Sequence, residues 1–491
     1  MTTAVVVGGG PNGLAALTLA AAGVRVRVIE AADALGGGTR SSELALPGLI
    51  HDECSGMHPL APCSPFAQRF DLAGAGLTWR WASAEFSHPL DGGRGAIAVR
   101  SVTETAAGLG DGGRSWQRTF GPLAEHFAAI SQEFLRPVLH LPHHPLLLAR
   151  FGVPAGLPAT LTARRFRTPG ARALFAGAAA HALRPLDTLV SSAIGVALTA
   201  AAHAFGRPVA EGGSAAIRDA IPHRAAEYGV RFETGRRVTA LDELSWADLI
   251  MSDTSPAAAA RIAGERMPHR VRRAYTRYRH GPGAFKVDFA VEDGVPWAHG
   301  PSRAAGTVHL GADLAEMAAA ERDAAAGRMP ERPFVLVGQQ YLADETRSTG
   351  NVHPLYAYAH VPAGYTGDAT EAITARIEHF APGFRDRILA TSARSTTELS
   401  RHNENYVAGA HGMCGYNAAR RALARLRGAV PGPRGRPRAV TAGGGGLPFA
   451  RPASRRAHRR SCCRRQAPRT PQTRSPHFGT RPPSPPDGLH P

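Results

Sequence analysis

The first thirty residues constrain the fold of this chain most strongly. Ala4–Val7 is a short, apolar, β-branched run that predicts one buried strand of a parallel sheet. Leu14–Ala22 predicts a helix of small residues, and Val24–Val28 predicts a second strand that ends at Glu30. Three glycines with the spacing G-x-G-x-x-G separate the first strand from the helix: Gly8, Gly10 and Gly13.

Each part of this strand, loop, helix and strand has a physical role in binding a dinucleotide. Gly8 permits the tight turn, Gly10 lets a pyrophosphate approach the backbone, and Gly13 lets the helix pack closely. Free N–H groups at the helix N-terminus favour phosphate, and Glu30 can accept hydrogen bonds from an adenosine ribose. A β-α-β unit without a ligand is the alternative. Three neighbouring residues complete the predicted site: Pro11, Asn12 and Ala31.

A second glycine cluster follows the acid and favours FAD over a nicotinamide cofactor. Gly36, Gly37 and Gly38 lead into Thr39 and Arg40. FAD is the longer dinucleotide and passes a second backbone segment, whereas a nicotinamide dehydrogenase does not need one. We therefore predict that Gly37, Gly38, Thr39 and Arg40 contact FAD. An ordinary glycine turn with a solvated Arg40 is the alternative.

The charge of the chain is concentrated at its C-terminal end. Of the net +18, residues 429–491 carry +12, from thirteen arginines and one aspartate, and residues 1–428 carry only +6. The last segment is rich in Arg, Pro, Gly and Ser, so we predict a disordered basic tail. It has no recognisable nucleic-acid reader, and no nucleic-acid partner is expected. Peripheral contact with an anionic membrane remains open.

Cysteine and histidine spacing favours neither disulfides nor a metal site. The five cysteines include no C-x-x-C pair, which suggests a reducing cytoplasm. His51 and His58, and the group at His140, His143 and His144, have no carboxylates or thiolates at ligand spacing. We predict no metal. Thr188–Gly206 is uncharged over 19 residues, but its Ala, Ser and Thr content favours a buried helix over a membrane span.

The middle of the chain predicts helices and then strands. Three segments with helical periodicity could form a wall for an apolar substrate, or simply core: Pro122–Leu135, Ala171–Leu183 and Leu189–Phe205. A second β-α-β segment follows: helix Ala215–Tyr228, strand Val230–Thr234 continued by Gly235–Leu241, and strand Ala247–Ser252. Four segments with period two predict an antiparallel sheet: Ala284–Ala290, Gly306–Leu310, Phe334–Gln340 and Leu355–Val361.

Lys286 is the only lysine in a chain with 56 arginines. Alternation along its strand predicts that Phe285, Val287 and Phe289 face one side and that Lys286 and Asp288 face the other. A single retained lysine suggests a chemical role, because the pKa of a lysine shifts readily on burial. A chance lysine at a sheet edge is the alternative.

From Ala4 to Val407, the chain resembles bacterial FAD-dependent oxidoreductases related to phytoene desaturase, and most closely the subgroup described as phytoene-dehydrogenase-related. The matching segments beyond the first glycine motif are Glu30 with Gly36-Gly37, His51–Pro59, Glu211–Ser214, Gly281–Asp288, Ala381–Phe384 and His402–Val407. The resemblance implies an α/β fold with two dinucleotide-binding-type regions. It assigns 1–60, 205–265 and 400–428 to a discontinuous FAD domain, and 61–204 with 266–399 to an α+β substrate domain.

The same resemblance implies an activity. Hydride would pass from an apolar small molecule, carotenoid-like or amine-like, to the flavin. Val238 would meet the adenine edge through its backbone, and His51–Pro59 could face the flavin. Lys286 falls where related amine oxidases hold a lysine-bound water near the reactive flavin nitrogen. The oligomeric state does not follow from the sequence.

The chain departs from this family near its C-terminus. Relatives have a long connection and a further strand between the Asn-Tyr-Val segment and His-Gly-Met-Cys-Gly-Tyr, whereas here Val407–Ala410 joins His411–Tyr416 directly. By the resemblance, His411, Gly412 and Met413 contact the cofactor, but the final strand of the FAD domain is expected to be missing. The alternative function is therefore a non-catalytic, flavin-deficient protein with a charged interaction tail.

Overall fold

The computed structural model describes residues 1–10, 15–62, 64–134, 141–409 and 438–441. Its strands, in chain order, are β1 (Thr3–Val7), β2 (Arg25–Ile29), β3 (Ser41–Glu43), β4 (Ile50–Asp52), β5 (Trp79–Arg80), β6 (Ala84–Pro89), β7 (Gly95–Ala98), β8 (Val209–Ala210), β9 (Arg231–Glu233), β10 (Leu249–Ser252), β11 (Gly283–Glu292), β12 (Ala305–Leu310), β13 (Val335–Gly338), β14 (Val352–Val361), β15 (Ile388–Arg394) and β16 (Arg438–Thr441).

The α-helices, in chain order, are α1 (Ala15–Ala20), α2 (Pro65–Arg69), α3 (Val102–Gly108), α4 (Gly113–Glu125), α5 (Phe127–Phe134), α6 (Pro145–Gly156), α7 (Ala159–Ala163), α8 (Pro169–Ala180), α9 (Ser192–Phe205), α10 (Ala215–Glu227), α11 (Pro256–Ala263), α12 (His269–Thr276), α13 (Leu314–Ala325), α14 (Thr370–Phe380) and α15 (Thr396–His402).

A parallel sheet of five strands carries the N-terminal motif, in the order β16-β10-β1-β2-β9. The central strand β1 is buried on both sides, as its unbroken apolar sequence predicts. Ala4 and Val6 pack with α1 and α10, whereas Val5 and Val7 pack with Ile250 on the opposite side. The prediction of a Rossmann-like α/β fold is confirmed.

The expectation that the final strand is missing is wrong. Arg438–Thr441 forms β16 and pairs in parallel with β10, with Ala439 beside Ile250 and Val440 beside Met251. The basic composition of residues 429–491 concealed the short run Ala439-Val440, which suffices for an edge strand. The rest of the predicted tail, 429–437 and 442–491, lies outside the described residues. The domain ranges given above remain predictions.

A second sheet has seven strands, in the order β15-β11-β14-β13-β12-β6-β7. Its neighbours are antiparallel except β6 and β12, which run parallel. The predicted antiparallel pairing is confirmed for β11–β14, and the parallel pair arises from β6. β6 and β12 are far apart in sequence, and so long a connection allows parallel pairing. The four predicted strands correspond to β11–β14, whereas β6, β7 and β15 were not predicted.

The two faces of this sheet differ in chemistry. Phe285, Val287 and Phe289 lie in an apolar core with Ile373 and Ile377 of α14. On the opposite face, Lys286 and Asp288 are fully buried. The alternation predicted from the sequence is confirmed, and the second face is called the polar face below.

Helices cover the polar face. The structure divides the predicted helix Pro122–Leu135 into two helices. Helix α4 begins earlier than predicted, at Gly113, and ends at Glu125, and α5 begins at Phe127. Helices α8 and α9 pack in one large core with Phe86, Tyr356 and Tyr358 from the sheet. Helix α9 has only 14 residues. Within the described part of the chain, no helix combines the length and apolarity needed to cross a bilayer.

Two truncations test the assignment of β16. A chain ending at Gly428 loses β16 and exposes the backbone edge of β10, whereas a chain ending at Ala450 keeps the strand. We expect the shorter chain to lose about 2 kcal/mol or more of unfolding free energy, since several ladder hydrogen bonds worth ~0.5–1.5 kcal/mol each disappear. Urea denaturation measures this difference. Equal midpoints for both truncations would show that β16 contributes nothing to the fold.

Candidate functional site

The described part of the glycine loop after β1, Gly8–Gly10, begins with the tight turn that the sequence predicts. Gly8 has φ of +107°, and its N–H donates to the Ile29 carbonyl at 2.8 Å. A Cβ added at Gly8 would lie 2.5 Å from the Asp253 carbonyl oxygen, so both the turn and the close approach require glycine. A Cβ at Gly10 would meet only the Asp253 carboxylate, at 3.2 Å.

Glu30 ends β2 beside this loop. One carboxylate oxygen accepts the Gly9 N–H at 2.6 Å, and the other accepts the Ala32 N–H at 2.8 Å. Glu30 is half-buried, and Ala31 next to it is exposed. Each carboxylate oxygen has a second lone pair, so the group retains the capacity to accept ribose hydroxyls.

The segment containing Val238 lies against the same end of the sheet. It is a loop, not the predicted continuation of β9, and it begins with the Gly235 N–H donating to Ala32 and the Arg236 N–H donating to Glu30. The Val238 side chain is buried with Val5 and Val7. The loop that contains Val238 therefore contacts the backbone of Glu30 through Arg236.

The second glycine cluster touches the first. The Gly36 N–H donates to the Gly9 carbonyl at 2.8 Å, and Thr39 bonds back to Gly36 through both its N–H and its hydroxyl. Gly36 and Gly37 have φ of +111° and +54°. The two clusters thus form one continuous backbone surface.

Arg40 supplies positive charge beside this surface. Its Nη2 donates to the Ala34 carbonyl at 2.8 Å, but its buried Nε has no hydrogen-bond partner among the described residues. An anionic ligand would satisfy this donor. Together with the open side of Gly10 and the free acceptor capacity of Glu30, this orphaned group fits a bound dinucleotide such as FAD. Six of the predicted site residues lie outside the described residues: Pro11, Asn12, Gly13, His411, Gly412 and Met413.

Lys286 is not an edge residue. Strand β11 lies between β14 and β15, and the Lys286 side chain has 0% exposure. Its ammonium pairs with the Asp288 carboxylate on the same face and lies 4.4 Å from the centroid of the Tyr356 ring. The second carboxylate oxygen of Asp288 lies 3.4 Å from His51 Nδ1. The lysine is thus held as part of a buried ion pair.

A short series of contacts joins the second glycine cluster to Lys286. The Ser55 N–H donates to the Gly38 carbonyl at 3.1 Å. The adjacent Cys54 carbonyl accepts the Tyr356 hydroxyl at 2.6 Å, and the Tyr356 ring lies under the lysine. The predicted segment His51–Pro59 therefore lies between the second glycine cluster and the polar face.

Titratable groups in this segment are poorly suited to reaction themselves. Burial raises the pKa of the Cys54 thiol to about 11 and lowers the pKa of His58 to about 4. His58 Nε2 forms a hydrogen bond of 2.9 Å with the Ser214 hydroxyl. At neutral pH, Cys54 is a thiol and His58 is an uncharged ring, so both serve to position the backbone.

The sequence analysis missed a buried ion cluster beneath this segment. Arg347 donates to Asp52 at 2.7 Å, to Asp344 at 2.9 Å and to the Ala210 carbonyl at 2.7 Å. Arg347, Asp52 and Asp344 are each at most 2% exposed. The short motif Glu211–Ser214 completes the cluster, because the Gly212 N–H donates to Asp344 and the Ser214 N–H donates to Asp52.

Comparison with known proteins agrees with this geometry. Residues 6–74, which include both glycine clusters and Glu30, match the family described as NAD(P)-binding Rossmann-like domain. No curated protein sequence matches significantly. The fold is similar to that of the PF1083 protein from Pyrococcus furiosus, with 15% identity over 80% of this chain and 88% of that chain and a TM-score of 0.52. It is also similar to putrescine oxidase bound to putrescine, with 17% identity over 80% and 84% of the two chains and a TM-score of 0.50.

Replacing Arg347 tests the ion cluster. Arg347→Met leaves two buried carboxylates without their cation, and we expect a loss of about 3–5 kcal/mol in unfolding free energy. Arg322→Met is the matched control, because its ion pair with Asp187 is about half exposed, at 49% and 43%, and should contribute less than about 1 kcal/mol. Chemical denaturation of both variants measures this difference, and similar losses would contradict the buried role of Arg347.

Acid titration gives a second test of the cluster. Burial alone would raise the pKa of Asp52, but Arg347 and the hydrogen bonds from Ser214 and Ser41 lower it below the ordinary value of 3.8. Its charge therefore stabilises the fold above that pH, and this contribution is lost as the pH falls through the folded-state pKa. We expect the unfolding free energy of the parent to fall more steeply on acidification below about pH 4 than that of Arg347→Met. Parallel profiles would contradict the assignment.

Proposed function

We propose that this chain binds FAD along its two glycine clusters and is an oxidoreductase that takes hydride from a small molecule at the polar face. The observation that carries the proposal is the 2.8 Å hydrogen bond from Gly36 to Gly9, which joins both clusters into one surface. From this surface, Gly38, Ser55 and Tyr356 lead to the buried Lys286. A ligand long enough to follow this path is a dinucleotide that extends beyond its pyrophosphate.

Two considerations favour FAD over NAD(P). The matched family is described as NAD(P)-binding and covers residues 6–74, which include both glycine clusters and Arg40, so the match alone does not distinguish FAD from NAD(P). Arg40 and the second glycine cluster lie further along the path than the first motif requires, and the orphaned Arg40 Nε suits a pyrophosphate. Putrescine oxidase, which shares the fold, is an oxidase, and this likeness supports redox chemistry at the equivalent face.

When bound, FAD would supply the two-electron chemistry of the reaction. The chain would contribute orientation and electrostatics. Asp288 holds the Lys286 ammonium against the Tyr356 ring in a site without solvent exposure, where a positive charge acts strongly on a developing negative charge. Lys286 is therefore proposed to stabilise the reduced cofactor, directly or through a bound water.

The proposed substrate class rests on the resemblance to the flavoprotein family. An apolar molecule, carotenoid-like or amine-like, would lie between the polar face and the helices α8 and α9. Membership of the phytoene-dehydrogenase-related subgroup and a cytoplasmic location belong to the same proposal. The alternative of a flavin-deficient protein depended on a missing final strand, and β16 occupies that edge. We therefore prefer the hypothesis of an enzyme to that of a flavin-deficient protein.

Gly10→Val tests the cofactor site. A branched side chain at Gly10 would enter the proposed pyrophosphate path and weaken FAD binding by about tenfold or more, since overpacking costs ~1–3 kcal/mol. Gly152→Val is the matched control, because Gly152 is exposed on α6 and an added Cβ would meet nothing within 4 Å. Flavin fluorescence titration and circular dichroism measure affinity and folding. Retention of parental affinity by a folded Gly10→Val protein would refute the placement.

Lys286→Met tests the proposed catalytic charge. Because this substitution alone leaves Asp288 buried and unpaired, it is compared with the double variant Lys286→Met/Asp288→Asn, which removes both charges. We expect flavin reduction or reoxidation in the double variant to slow by the equivalent of about 2.7–4 kcal/mol in the barrier, with FAD stoichiometry unchanged. Stopped-flow absorbance measures both half-reactions. Parental rates in the flavin-loaded double variant would leave Lys286 a purely structural residue.

A further inference from the structure

A second buried cation, Arg207, lies on the side of the helices. Arg207 is only 7% exposed, yet its Nε and Nη1 have no hydrogen-bond partner among the described residues. Its backbone N–H donates to the Glu85 carboxylate at 2.5 Å, but no carboxylate in the described part of the chain forms an ion pair with its guanidinium. Arg347, in contrast, has two carboxylate partners.

Glu85 is a buried carboxylate that attracts Arg207, but it forms no ion pair with the guanidinium. Glu85 is engaged by Arg100 at 3.1 Å, and Glu321 is engaged by His360 at 2.5 Å. His181 and His309 contact each other at 3.0 Å, and burial keeps the pKa of both rings well below the ordinary value, so they are neutral. Burial lowers the pKa of Arg207 to about 10, which leaves it cationic at neutral pH.

We propose that Arg207 binds a carboxylate group of the substrate. A buried, unpaired guanidinium is costly and gains strongly from a planar, bidentate anion. Tyr358, the cross-strand neighbour of Lys286, packs in the same core as Phe86, which lies beside the Arg207 guanidinium. The Phe86 ring, with its centroid 5.5 Å from the guanidinium carbon, provides an apolar contact. The proposal rests on the proposed function, because it narrows the substrate to an apolar molecule that carries a carboxylate.

The unliganded stability of Arg207→Met tests this inference without any cofactor. Removing a buried charge that lacks a partner should leave the melting temperature unchanged or raise it, whereas Arg347→Met should lower it. A large loss of stability in Arg207→Met, similar to that of Arg347→Met, would show that Arg207 has a structural partner and would overturn the proposal.

Ligand binding provides the second arm. The probes are 3-phenylpropanoate and its uncharged amide, titrated into the full chain and followed by calorimetry and thermal shift. We expect the carboxylate to bind and the amide to bind at least about tenfold more weakly, since a charge-assisted bidentate contact is lost. Arg207→Met should abolish the preference, and the control Arg322→Gln, which alters a half-exposed arginine paired with Asp187, should retain it. Equal binding of both probes to the parent, or an unchanged preference in Arg207→Met, would overturn the proposal. Neither readout requires flavin, so failure of the FAD proposal is detected separately.

An independent observation concerns the outer surface of the helical layer. Among the described residues, twelve large apolar side chains are exposed, and seven of them lie within residues 141–194. These seven are Leu141, Leu146, Val153, Leu161, Leu189, Val190 and Ile194. Such a concentration of exposed apolar side chains is unusual on the surface of a soluble protein and indicates an interaction site.

The same 54 residues carry most of the net positive charge outside the tail. They contain six arginines and one acid, Asp187, for a net charge of +5, whereas residues 1–428 carry +6 in total. Arg150, Arg164, Arg165 and Arg167 are exposed. The apolar and basic residues therefore share one segment.

Hydrogen bonds hold this segment together as one surface. The Val190 N–H donates to the Gly156 carbonyl at 3.0 Å, and the Thr160 N–H donates to the Leu186 carbonyl at 3.1 Å. The end of α6, the start of α7 and the segment before α9 are thereby adjacent. On α6, Leu146, Arg150 and Val153 are exposed at helical spacing, while Phe151 and Ala155 are buried.

We propose that this leucine–arginine surface, residues 141–167 and 184–194, docks on an anionic lipid bilayer. Apolar side chains mixed with arginines on a short exposed helix suit the interface between headgroups and acyl chains. Charge excludes two other occupants. A second copy presenting the same face would bring +4 against +4, and the segment 429–491 carries +12. An acidic protein is the remaining alternative, and a parent that does not bind anionic vesicles at any salt concentration would favour it.

Vesicle flotation tests this surface with the full chain. The vesicles contain phosphatidylcholine alone or with 30% phosphatidylglycerol (about one charged lipid in three). Leu146→Ser/Val153→Ser removes two exposed apolar groups from the surface, and Leu389→Ser/Tyr228→Ser removes two elsewhere. We expect the parent to bind the anionic vesicles even at about 0.5 M salt, where charge on the tail is screened. The first variant should bind about tenfold or more weakly than the parent, and the control should bind as tightly as the parent.

Three results would overturn the membrane proposal. The first is loss of binding to anionic vesicles when the salt is raised to about 0.5 M, about five times the concentration at which the Debye length is ~10 Å. This result would show that the parent binds through exposed charge alone. The surface variant could bind as tightly as the parent. The parent could instead self-associate in sedimentation velocity, with Leu146→Ser/Val153→Ser abolishing association, which would identify a second copy as the occupant.

Discussion

The buried contact of Arg347 with Asp52 and Asp344 is the interaction on which the rest of the site depends. It joins β4, the start of α10 and the connection between β13 and β14, which are distant in sequence. The chain leaves β4 at Asp52 and passes directly into Cys54 and Ser55, which contact Tyr356 and Gly38. The position of the second glycine cluster relative to Lys286 is therefore fixed by this ion cluster, and the cost of burying three charges is offset by their dense hydrogen bonding.

The seven-stranded sheet separates stability from chemistry between its two faces. One face carries Phe285, Val287 and Phe289 against α14 and forms an apolar core. The other face carries Lys286 and Asp288, and near it lie two neutral histidines and Arg207, whose guanidinium has no ion-pair partner among the described residues. Buried polar groups lower stability unless they are paired, so their concentration on one face indicates a binding role. The apolar core on the first face stabilises the fold and offsets the cost of burying these polar groups.

Local patterns made much of this architecture predictable from the sequence. The glycine spacing, the helix after it and the alternation around Lys286 are properties of short segments, and the structure reproduces them. The ion cluster was not predictable, because Arg347 and Asp52 are 295 residues apart and neither has a distinctive local pattern. Strand β16 was missed because its four residues lie within a segment whose average composition predicts disorder. The parallel pair β6 and β12 was missed because strand direction depends on a long connection rather than on local sequence.

Cofactor content tests the central claim most directly. The purified full-length protein is denatured, and the released small molecules are separated by chromatography and quantified by absorbance. The account predicts FAD in a near-stoichiometric amount after reconstitution, with the flavin bands shifted relative to free FAD while the protein is folded. A folded protein that binds NAD(P) but not FAD would contradict it, as would a folded protein that binds neither after incubation with excess cofactor.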